Sequence, residues 1–289
     1  VNHLWQLMFG QGLVRTSEDF GLQGELPTHP KLLDWLAVEL IENDWNLQHI
    51  IRLIVNSKTY RQSSMTSADL LERDPENRLL ARSPRYRLPA WMIHDNALRI
   101  SGLLNPAVGG PPHKPYQPEG VWAEITMGRF DYQPSLGPSQ YRRTVYAFWR
   151  RSSAPTFLFD SAQRRVCEVG IRRTNTPLHA LTLMNDITML EASRALADGI
   201  PATGPQFEES LQSMAVRVLS RRLTESEVDK LHAVWSHGSN YYKHHVAEAV
   251  RYTTVGQQSP ASDERAPTTA AWMTVASLLF NLDEAMTRE

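Results

Sequence analysis

The sequence predicts a mainly α protein, a multi-helix domain with a proline- and glycine-rich central excursion and a small two-stranded β ribbon. Apolar residues recur every three or four positions in the first hundred residues and again after residue 177, which is the period of an amphipathic helix. Between these regions, residues 106–138 hold seven of the 18 prolines and five of the 15 glycines, and regular helix cannot run through such a segment.

Three helices are predicted in the first hundred residues. The first follows Thr28, a capping residue type, and Pro30, which a first turn tolerates. Its apolar face consists of Leu32, Leu33, Leu36, Leu40 and Ile41. The second begins at Leu47 after the cap Asn46. Its buried side consists of Ile50, Ile51, Ile54 and Val55. The third spans about Pro89 to Leu104, with Met92, Ile93, Ala97 and Ile100 in its apolar stripe.

The β ribbon is predicted within the excursion, from the segments Val121–Met127 and Tyr141–Trp149. Both segments are rich in β-branched and aromatic residues, and the second alternates between two sets of side chains. One set is Val145, Ala147 and Trp149, and the other is Thr144, Tyr146 and Phe148.

Helices resume at Pro177, with Thr176 as the cap. The inward face is predicted to consist of Leu178, Leu181 and Met184, continued by Ile187 and Leu190. Another helix begins at Phe207, and a last one spans Thr268–Phe280. Thr224 followed by Glu227 forms a capping box, the clearest helix start in the chain. These elements divide into an N-terminal helical region (1–104), an irregular region (105–176) and a C-terminal helical region (177–289), which we expect to form one domain.

Composition limits the function classes. A hydrophobic content of 42% supports a sizeable core and excludes disordered and collagen-like chains. The formal net charge of −1 offers no general attraction to nucleic acid, so we predict no nucleic-acid partner. The apolar runs are far shorter than the roughly 20 residues of a bilayer span, so we predict no membrane span. Because the sequence opens on Val1 within an amphipathic pattern, we expect it to be an excerpt of a longer protein.

Motifs for metal or nucleophilic chemistry are missing from the sequence. It contains no HExxH and no cysteine pair, so no metal site is predicted, and His244 and His245 are expected at the surface. It also lacks a GxSxG nucleophile elbow. Cys167 and His179 are formally a nucleophile and a base, although a packed thiol beside an unrelated histidine is the favoured interpretation.

Carboxylates near the loops are candidates for acid–base chemistry. They are Asp95, Glu119, Glu124, Asp131 and Asp186. Each is more simply interpreted as a helix cap or an ion-pair partner.

Guanidinium groups are concentrated within 32 residues of the middle of the chain. They belong to Arg142, Arg143, Arg150, Arg151, Arg164, Arg165, Arg172 and Arg173, and aromatic residues flank them. Arginine binds carboxylate, sulfate or phosphate through fork-shaped hydrogen bonds and stacks on aromatic rings, which favours an anionic ligand or an acidic partner. The alternative is that these arginines pair with the protein's own 31 acidic residues and support the loop.

Nine short strings along the chain resemble the planctomycete-specific domain of unknown function 1553. They are FGLQGE (20–25), PTHP (27–30), LDWL (33–36), YRQSS (60–64), DPENR (74–78), PYQP (115–118), RTNTPL (173–178), ND (185–186) and NLDE (281–284). The resemblance implies a C-terminal module of a larger exported protein in the periplasm or cell envelope. Its partners would be upstream domains of the same polypeptide, including one like cytochrome c. The resemblance therefore implies no cofactor in this chain, with haem c held by an upstream domain.

The leading hypothesis is a binding module that recognises an anionic or carbohydrate ligand, or a partner domain. Its predicted binding residues are Arg61, Tyr116, Arg142, Arg143, Arg172, Arg173 and Asn175, most of which lie at element ends, where binding residues concentrate. One rival is a polysaccharide hydrolase with Asp95, Glu119 or Asp186 as acid or base and His179 assisting. The other rival is a purely structural module that orders a cytochrome c-like neighbour. The sequence leaves open whether the protein is an enzyme.

Overall fold

The computed structural model describes residues 1–150, 153–159, 169–170, 173–200 and 207–288. The chain forms two compact units. Unit 1 contains residues 1–87, joined by 169–170, 173 and 287–288, and unit 2 contains the other described residues between 88 and 286. The fold is mainly α, as predicted.

In its described residues, unit 1 is built from four helices and one small sheet. The helices are α1 (Asn2–Phe9), α2 (Pro30–Glu42), α3 (Leu47–Asn56) and α4 (Ala68–Arg73). Strands β1 (Tyr86–Arg87) and β2 (Thr287–Arg288) pair antiparallel, with Tyr86 opposite Arg288. The core of the unit consists of Trp5, Phe9, Leu13, Leu36, Leu40, Ile50 and Ile54.

The helix predictions for unit 1 are close to the structure. Asn46 caps α3 as predicted, since its side chain accepts a hydrogen bond from the backbone N–H of His49 at 3.1 Å. Thr28 is not the cap of α2, because His29 occupies that position and the Thr28 hydroxyl donates to the carbonyl oxygen of Leu13 at 3.3 Å.

Unit 2 is built from nine α-helices in its described residues. They are α5 (Ala90–Ser101), α6 (Val121–Thr126), α7 (Pro177–Asn185), α8 (Ile187–Asp198), α9 (Phe207–Leu219), α10 (Glu225–His244), α11 (Val246–Thr253), α12 (Ala266–Asn281) and α13 (Asp283–Met286). Helix α12 is central and apolar and packs against α8, α10 and α11. The predicted capping box is confirmed at α10, where the Thr224 N–H donates to Glu227 Oε2 at 2.7 Å. None of the described helices combines the length and the hydropathy needed to cross a bilayer.

The predicted position of the β ribbon is wrong. Residues Val121–Thr126 form α6, and two 3₁₀ helices, Gly137–Tyr141 and Thr144–Tyr146, cover four of the nine residues of the second segment. Gly120 and Gly128, both at positive φ, lie on either side of this segment, and the residues between them form a short helix rather than an extended strand. The two-stranded sheet of the structure lies instead in unit 1, between β1 and β2.

Two other helix predictions also need correction. Helix α5 ends at Ser101 rather than Leu104, because Gly102 adopts the left-handed conformation at φ 84°. The apolar residues after Pro177 do not form one inward face, since the chain breaks at Asp186 between α7 and α8. Leu178, Leu181 and Met184 are exposed, whereas His179 and Leu183 are the buried residues of α7.

Candidate functional site

The central excursion folds around a cavity of about 480 Å³ in unit 2, here called the excursion cavity. Its volume lies in the range of small-molecule sites. The lining residues that carry chemistry are Tyr116, Gln117, Glu119, Trp122, Phe130, Asp131, Tyr132 and Gln133. A left-handed Gly120 turns the chain into α6, which contributes Trp122.

Stacked aromatic rings form one wall of the cavity. The rings of Trp122 and Tyr132 are parallel within 6° at a centroid separation of 4.8 Å. The Tyr132 hydroxyl donates to the carbonyl oxygen of Pro115 at 2.6 Å and fixes that ring. Phe130 lies 5.4 Å from Trp122, and the ammonium group of Lys114 lies 5.2 Å from the Phe130 ring centroid. The wall is therefore held by ring stacking, a hydrogen bond and a cation–π contact.

Two donors and two carboxylates belong to the lining of the same cavity. Trp122 is 3% exposed, and its Nε1–H has no hydrogen-bond partner among the described residues. The side-chain nitrogen of Gln117 is also buried without a partner in the described part of the chain. The carboxylates are those of Glu119 and Asp131, and Asp131 accepts a hydrogen bond from Gln133 at 3.0 Å. No lysine or arginine is part of the lining in the described residues.

Behind Tyr116 lies the fully buried carboxyl group of Glu191 on α8. Its Oε1 accepts hydrogen bonds from the Tyr116 hydroxyl at 3.1 Å, the Tyr141 hydroxyl at 2.9 Å and the Gln257 backbone N–H at 2.7 Å. Its Oε2 has no partner among the described residues. Burial raises the pKa of Glu191, and the nearby Asp186 raises it further, although the three donors act in the opposite direction.

A second buried polar cluster joins α5 to the 3₁₀ helix Thr144–Tyr146. The Thr144 hydroxyl and backbone N–H both donate to Asp95 Oδ1, at 2.6 and 2.7 Å, and the hydroxyl lies 3.1 Å from His94 Nδ1. Burial opposes ionisation of Asp95, but hydrogen bonds from His94 and Thr144 outweigh it and lower the pKa of Asp95. These bonds hold the excursion against α5.

The predicted catalytic residues do not come together in one site. Glu119 lines the excursion cavity, whereas Asp95 belongs to the buried cluster with Thr144. Asp186 is the N-cap of α8 and accepts from the backbone N–H of Met189 at 3.2 Å, and burial raises the pKa of Asp186. His179 stacks on Phe159 at 3.8 Å, and its Nδ1 accepts from the backbone N–H of Thr176 at 3.4 Å. Asp186 and His179 therefore have structural roles at helix starts, and Cys167 lies outside the described residues.

The predicted binding residues are divided between the units. Arg61, whose guanidinium donates to Asn56 Oδ1 at 2.6 Å, and Arg173, which donates to the carbonyl oxygen of Gly10 at 3.0 Å, belong to unit 1. Tyr116, Arg142, Arg143 and Asn175 belong to unit 2, and Arg172 lies outside the described residues.

Arg142 supports the excursion from inside. Its guanidinium donates to the carbonyl oxygens of Ala107, Gly109 and Pro111 and lies 4.0 Å above the Tyr146 ring. Its neighbour Arg143 is half exposed, with Nε 3.5 Å from Asp95 Oδ2. Arg142 therefore supports the loop, but through backbone carbonyl oxygens and not through the acids that the alternative interpretation names.

Of the residues that form the cavity, Tyr116, Glu119 and Asp131 were candidates from the sequence, whereas Trp122 in the lining and Glu191 behind it were not. A signal for Glu191 exists, because it is a lone acid among buried residues of α8, next to Ala192 and two positions after Met189. Trp122 and Tyr132 are aromatic residues of the excursion and could have been candidates on that ground. Their stacking, however, is a tertiary contact that the sequence pattern does not predict. The described residues include no group of three or more His, Cys, Asp or Glu side chains that could hold a metal ion.

Comparison with known proteins gives one match. The family model PSD1, described as a protein of unknown function (DUF1553), matches residues 1–235. No curated protein and no solved structure matches the chain.

Proposed function

Because the chain belongs to the DUF1553 family, whose description states no activity, we propose its function from the geometry of unit 2: the excursion cavity binds an uncharged carbohydrate. The observation that carries the proposal is one cavity lined by an aromatic wall, two buried donors without partners and two carboxylates. A sugar presents the complementary set, namely apolar C–H faces, hydroxyl acceptors and hydroxyl donors.

The aromatic wall supplies the apolar part of this recognition. Trp122, Phe130 and Tyr132 lie close enough to form one continuous surface, with ring centroids between 4.8 and 6.5 Å apart. Such a surface buries apolar area at little entropic cost, because each ring is already fixed.

The polar lining supplies orientation. The Trp122 N–H and the Gln117 amide N–H would each donate a hydrogen bond to a ligand hydroxyl oxygen, which removes the cost of a buried donor without a partner. Glu119 and Asp131 would accept hydrogen bonds from other hydroxyls, since a carboxylate is an acceptor at both oxygens.

Charge favours a neutral ligand over an anionic one. The charged groups in the lining are carboxylates, so a phosphate, sulfate or uronate entering the cavity would meet like charge. The cations Lys114 and Arg150 lie against the Phe130 ring of the wall, each 5.2 Å from its centroid, and are engaged there in cation–π contacts. Of the two ligand classes suggested by the sequence, carbohydrate therefore fits this cavity better. A polysaccharide also suits the cell-envelope location that the family resemblance implies.

The test is calorimetric titration of the chain with neutral hexasaccharides of cellulose, xylan and mannan, and with oligogalacturonate as the anionic probe. We expect at least one neutral hexasaccharide to bind and oligogalacturonate not to bind. Trp122→Phe keeps a ring but removes the N–H, so it should weaken binding about three- to tenfold, the worth of one hydrogen bond. The matched control is Trp45→Phe, at an exposed position of unit 1. The proposal fails if only oligogalacturonate binds, or if the two variants bind equally.

Hydrolysis of the bound polysaccharide is the second candidate function. The observation that favours it is that Glu119 and Asp131 line the same cavity, because glycoside hydrolysis uses one carboxyl group as acid and a second as base or nucleophile. Product analysis by chromatography after incubation with a bound hexasaccharide tests it. Hydrolysis requires that Glu119→Gln and Asp131→Asn each abolish product formation while binding persists, and a wild-type chain that forms no product excludes this function for that sugar.

A further inference from the structure

We propose that Glu191 is the positioning residue of the excursion cavity. Its carboxyl group holds the Tyr116 phenol in place, so the affinity for carbohydrate changes when Glu191, which lies outside the lining, gains or loses a proton. This inference rests on the proposed function and adds a proton-linked control to it. Its basis is that Tyr116 belongs both to the lining of the cavity and to the hydrogen-bond network of Glu191.

Glu191 lies outside the lining, and one of its oxygens gathers three segments of the chain. Oε1 accepts from Tyr116 in the excursion, from Tyr141 in the 3₁₀ helix and from the backbone of Gln257 after α11. Of these donors, only Tyr116 also lines the cavity. A change in the acceptor strength of Oε1 therefore reaches the cavity through the Tyr116 side chain.

Protonation changes this acceptor without displacing its donors. Oε1 already accepts three hydrogen bonds, whereas Oε2 is buried with no partner among the described residues, so the proton is added to Oε2. Oε1 then becomes a neutral carbonyl oxygen. Hydrogen bonds to an ionised acceptor are roughly twice as strong as those to a neutral one, so Tyr116 is held less firmly in the acid form.

The titratable groups of this network are two carboxyl groups with raised pKa, those of Glu191 and Asp186, and the phenols of Tyr116 and Tyr141, whose pKa values are raised as well. Besides Tyr116 and Tyr141, the charged group that faces it is Asp186, at the start of α8, and His94 of α5 acts on Asp186 in turn. The turn with Gln257 contributes a backbone amide, and the buried residues of α12, which packs on α8, include no titratable side chain. Burial and Asp186 both raise the pKa of Glu191, so protonation begins above the pH at which an exposed glutamate titrates.

The experiment measures the Kd of a bound neutral hexasaccharide between pH 4.5 and 8 for the wild type and three variants. Wild-type affinity should fall about three- to tenfold as Glu191 becomes protonated. Glu191→Gln should bind with the weaker affinity at every pH, because its amide oxygen is always a neutral acceptor. Tyr116→Phe keeps the ring but removes the hydrogen bond to Glu191, so its affinity should not vary with pH. Tyr141→Phe, which removes a donor outside the lining, should keep the pH dependence but move its midpoint to higher pH, because the Tyr141 hydrogen bond lowers the pKa of Glu191.

The ligand-free protein provides a readout that does not require sugar binding. The ¹³C resonance of the Tyr116 ring carbon that bears the hydroxyl should shift with the titration of Glu191 in the wild type and stay constant in Glu191→Gln. Asp186→Asn, which retains a capping side chain, should move the midpoint of this shift to lower pH. If no hexasaccharide binds, the proposed function fails, and the Tyr116 resonance alone decides whether Glu191 positions it. This inference is overturned if the Tyr116 ¹³C shift stays constant with pH in the wild type. It is also overturned if the affinity of Glu191→Gln or Tyr116→Phe still depends on pH.

Discussion

Gly256 approaches the carboxyl group of Glu191 so closely that a Cβ atom on it would lie 2.2 Å from Oε1. Its φ is +60°, a conformation that side-chain-bearing residues rarely adopt. This close approach brings the backbone N–H of Gln257 to 2.7 Å from the same oxygen. Glycine is therefore needed here both for the backbone conformation and for space.

Replacing Gly256 by alanine should lower the free energy of unfolding by about 2–4 kcal/mol, from the left-handed backbone together with overpacking. The Glu191 carboxyl group cannot easily move away, since three hydrogen bonds hold it. Urea denaturation measures the loss. The control is Gly102→Ala, with φ +84° and no atom within 4 Å of the added Cβ, which should cost only about 1–2 kcal/mol. Equal losses in the two variants would contradict the close-approach argument.

Acid should destabilise the protein through His113. This histidine is buried, neither ring nitrogen has a partner among the described residues, and burial lowers its pKa from 6.5 to about 4. As the pH falls, the unfolded chain binds the proton before the folded protein does. Neutral His113 therefore makes its full contribution to the free energy of unfolding above pH 6.5, and this contribution is lost as the pH falls toward 4. The difference between the two pKa values corresponds to roughly 3 kcal/mol in the free energy of unfolding.

The measurement for His113 is urea denaturation at pH 7 and pH 4.5. His113→Gln, which is neutral at both pH values, should lose clearly less stability between them than the wild type. His244→Gln, at an exposed position, serves as control and should behave as the wild type. An identical acid loss in His113→Gln would show that other groups cause it.

Replacing each of the neighbouring arginines Arg142 and Arg143 by lysine should lower the free energy of unfolding by different amounts. Arg142→Lys loses the fork that joins three carbonyl oxygens and the stacking on Tyr146, so we expect a loss of about 2–3 kcal/mol in the free energy of unfolding. Arg143→Lys changes a half-exposed ion pair and should cost below about 1 kcal/mol. Thermal unfolding of the two variants checks the difference. A larger loss for Arg143→Lys would show that Arg142 is not the residue that supports the excursion.

The guanidinium of Arg221 should control the ionisation of Glu227. It forms two hydrogen bonds with Glu227, at 2.8 and 3.0 Å, and two with Glu284, at 2.6 and 3.0 Å. The hydrogen bonds from Arg221, followed by the one from the backbone N–H of Thr224, lower the pKa of Glu227 to about 2. This carboxylate therefore stabilises the fold above pH 4.5, and its contribution is lost as the pH falls toward 2.

Carboxyl NMR titration tests this pairing. Arg221→Gln should raise the pKa of Glu227 toward its ordinary value of 4.5. Arg73→Gln, at the exposed pair with Asp69, should leave Glu227 unchanged. A Glu227 titration that is the same in Arg221→Gln and the wild type would show that the backbone of Thr224 alone holds the carboxylate.

The parts of the fold that sequence analysis predicted are those with local causes. Asn46 and the Thr224–Glu227 capping box act on backbone groups within three residues, so their signals stand next to each other in the chain. The ribbon was misplaced because the aromatic residues of its second segment make tertiary contacts: Tyr146 stacks on Arg142, and Phe148 packs near Trp122, 26 positions away along the chain. Glu191 was missed because its donors stand 50 to 75 positions away, and no spacing rule connects them.

The pairing of Tyr86 with Arg288 has a consequence for biosynthesis. Arg288 also binds the side chain of Ser83, 205 positions earlier, so the growing polypeptide must wait for nearly all of the intervening helices to leave the ribosome before this corner closes. Ordering such a distant contact is slow, because the entropy of a long loop is lost before the contact forms. The first 87 residues therefore leave the ribosome long before their last strand. During that interval their strand edge is unpaired, and chaperone binding would protect them from aggregation.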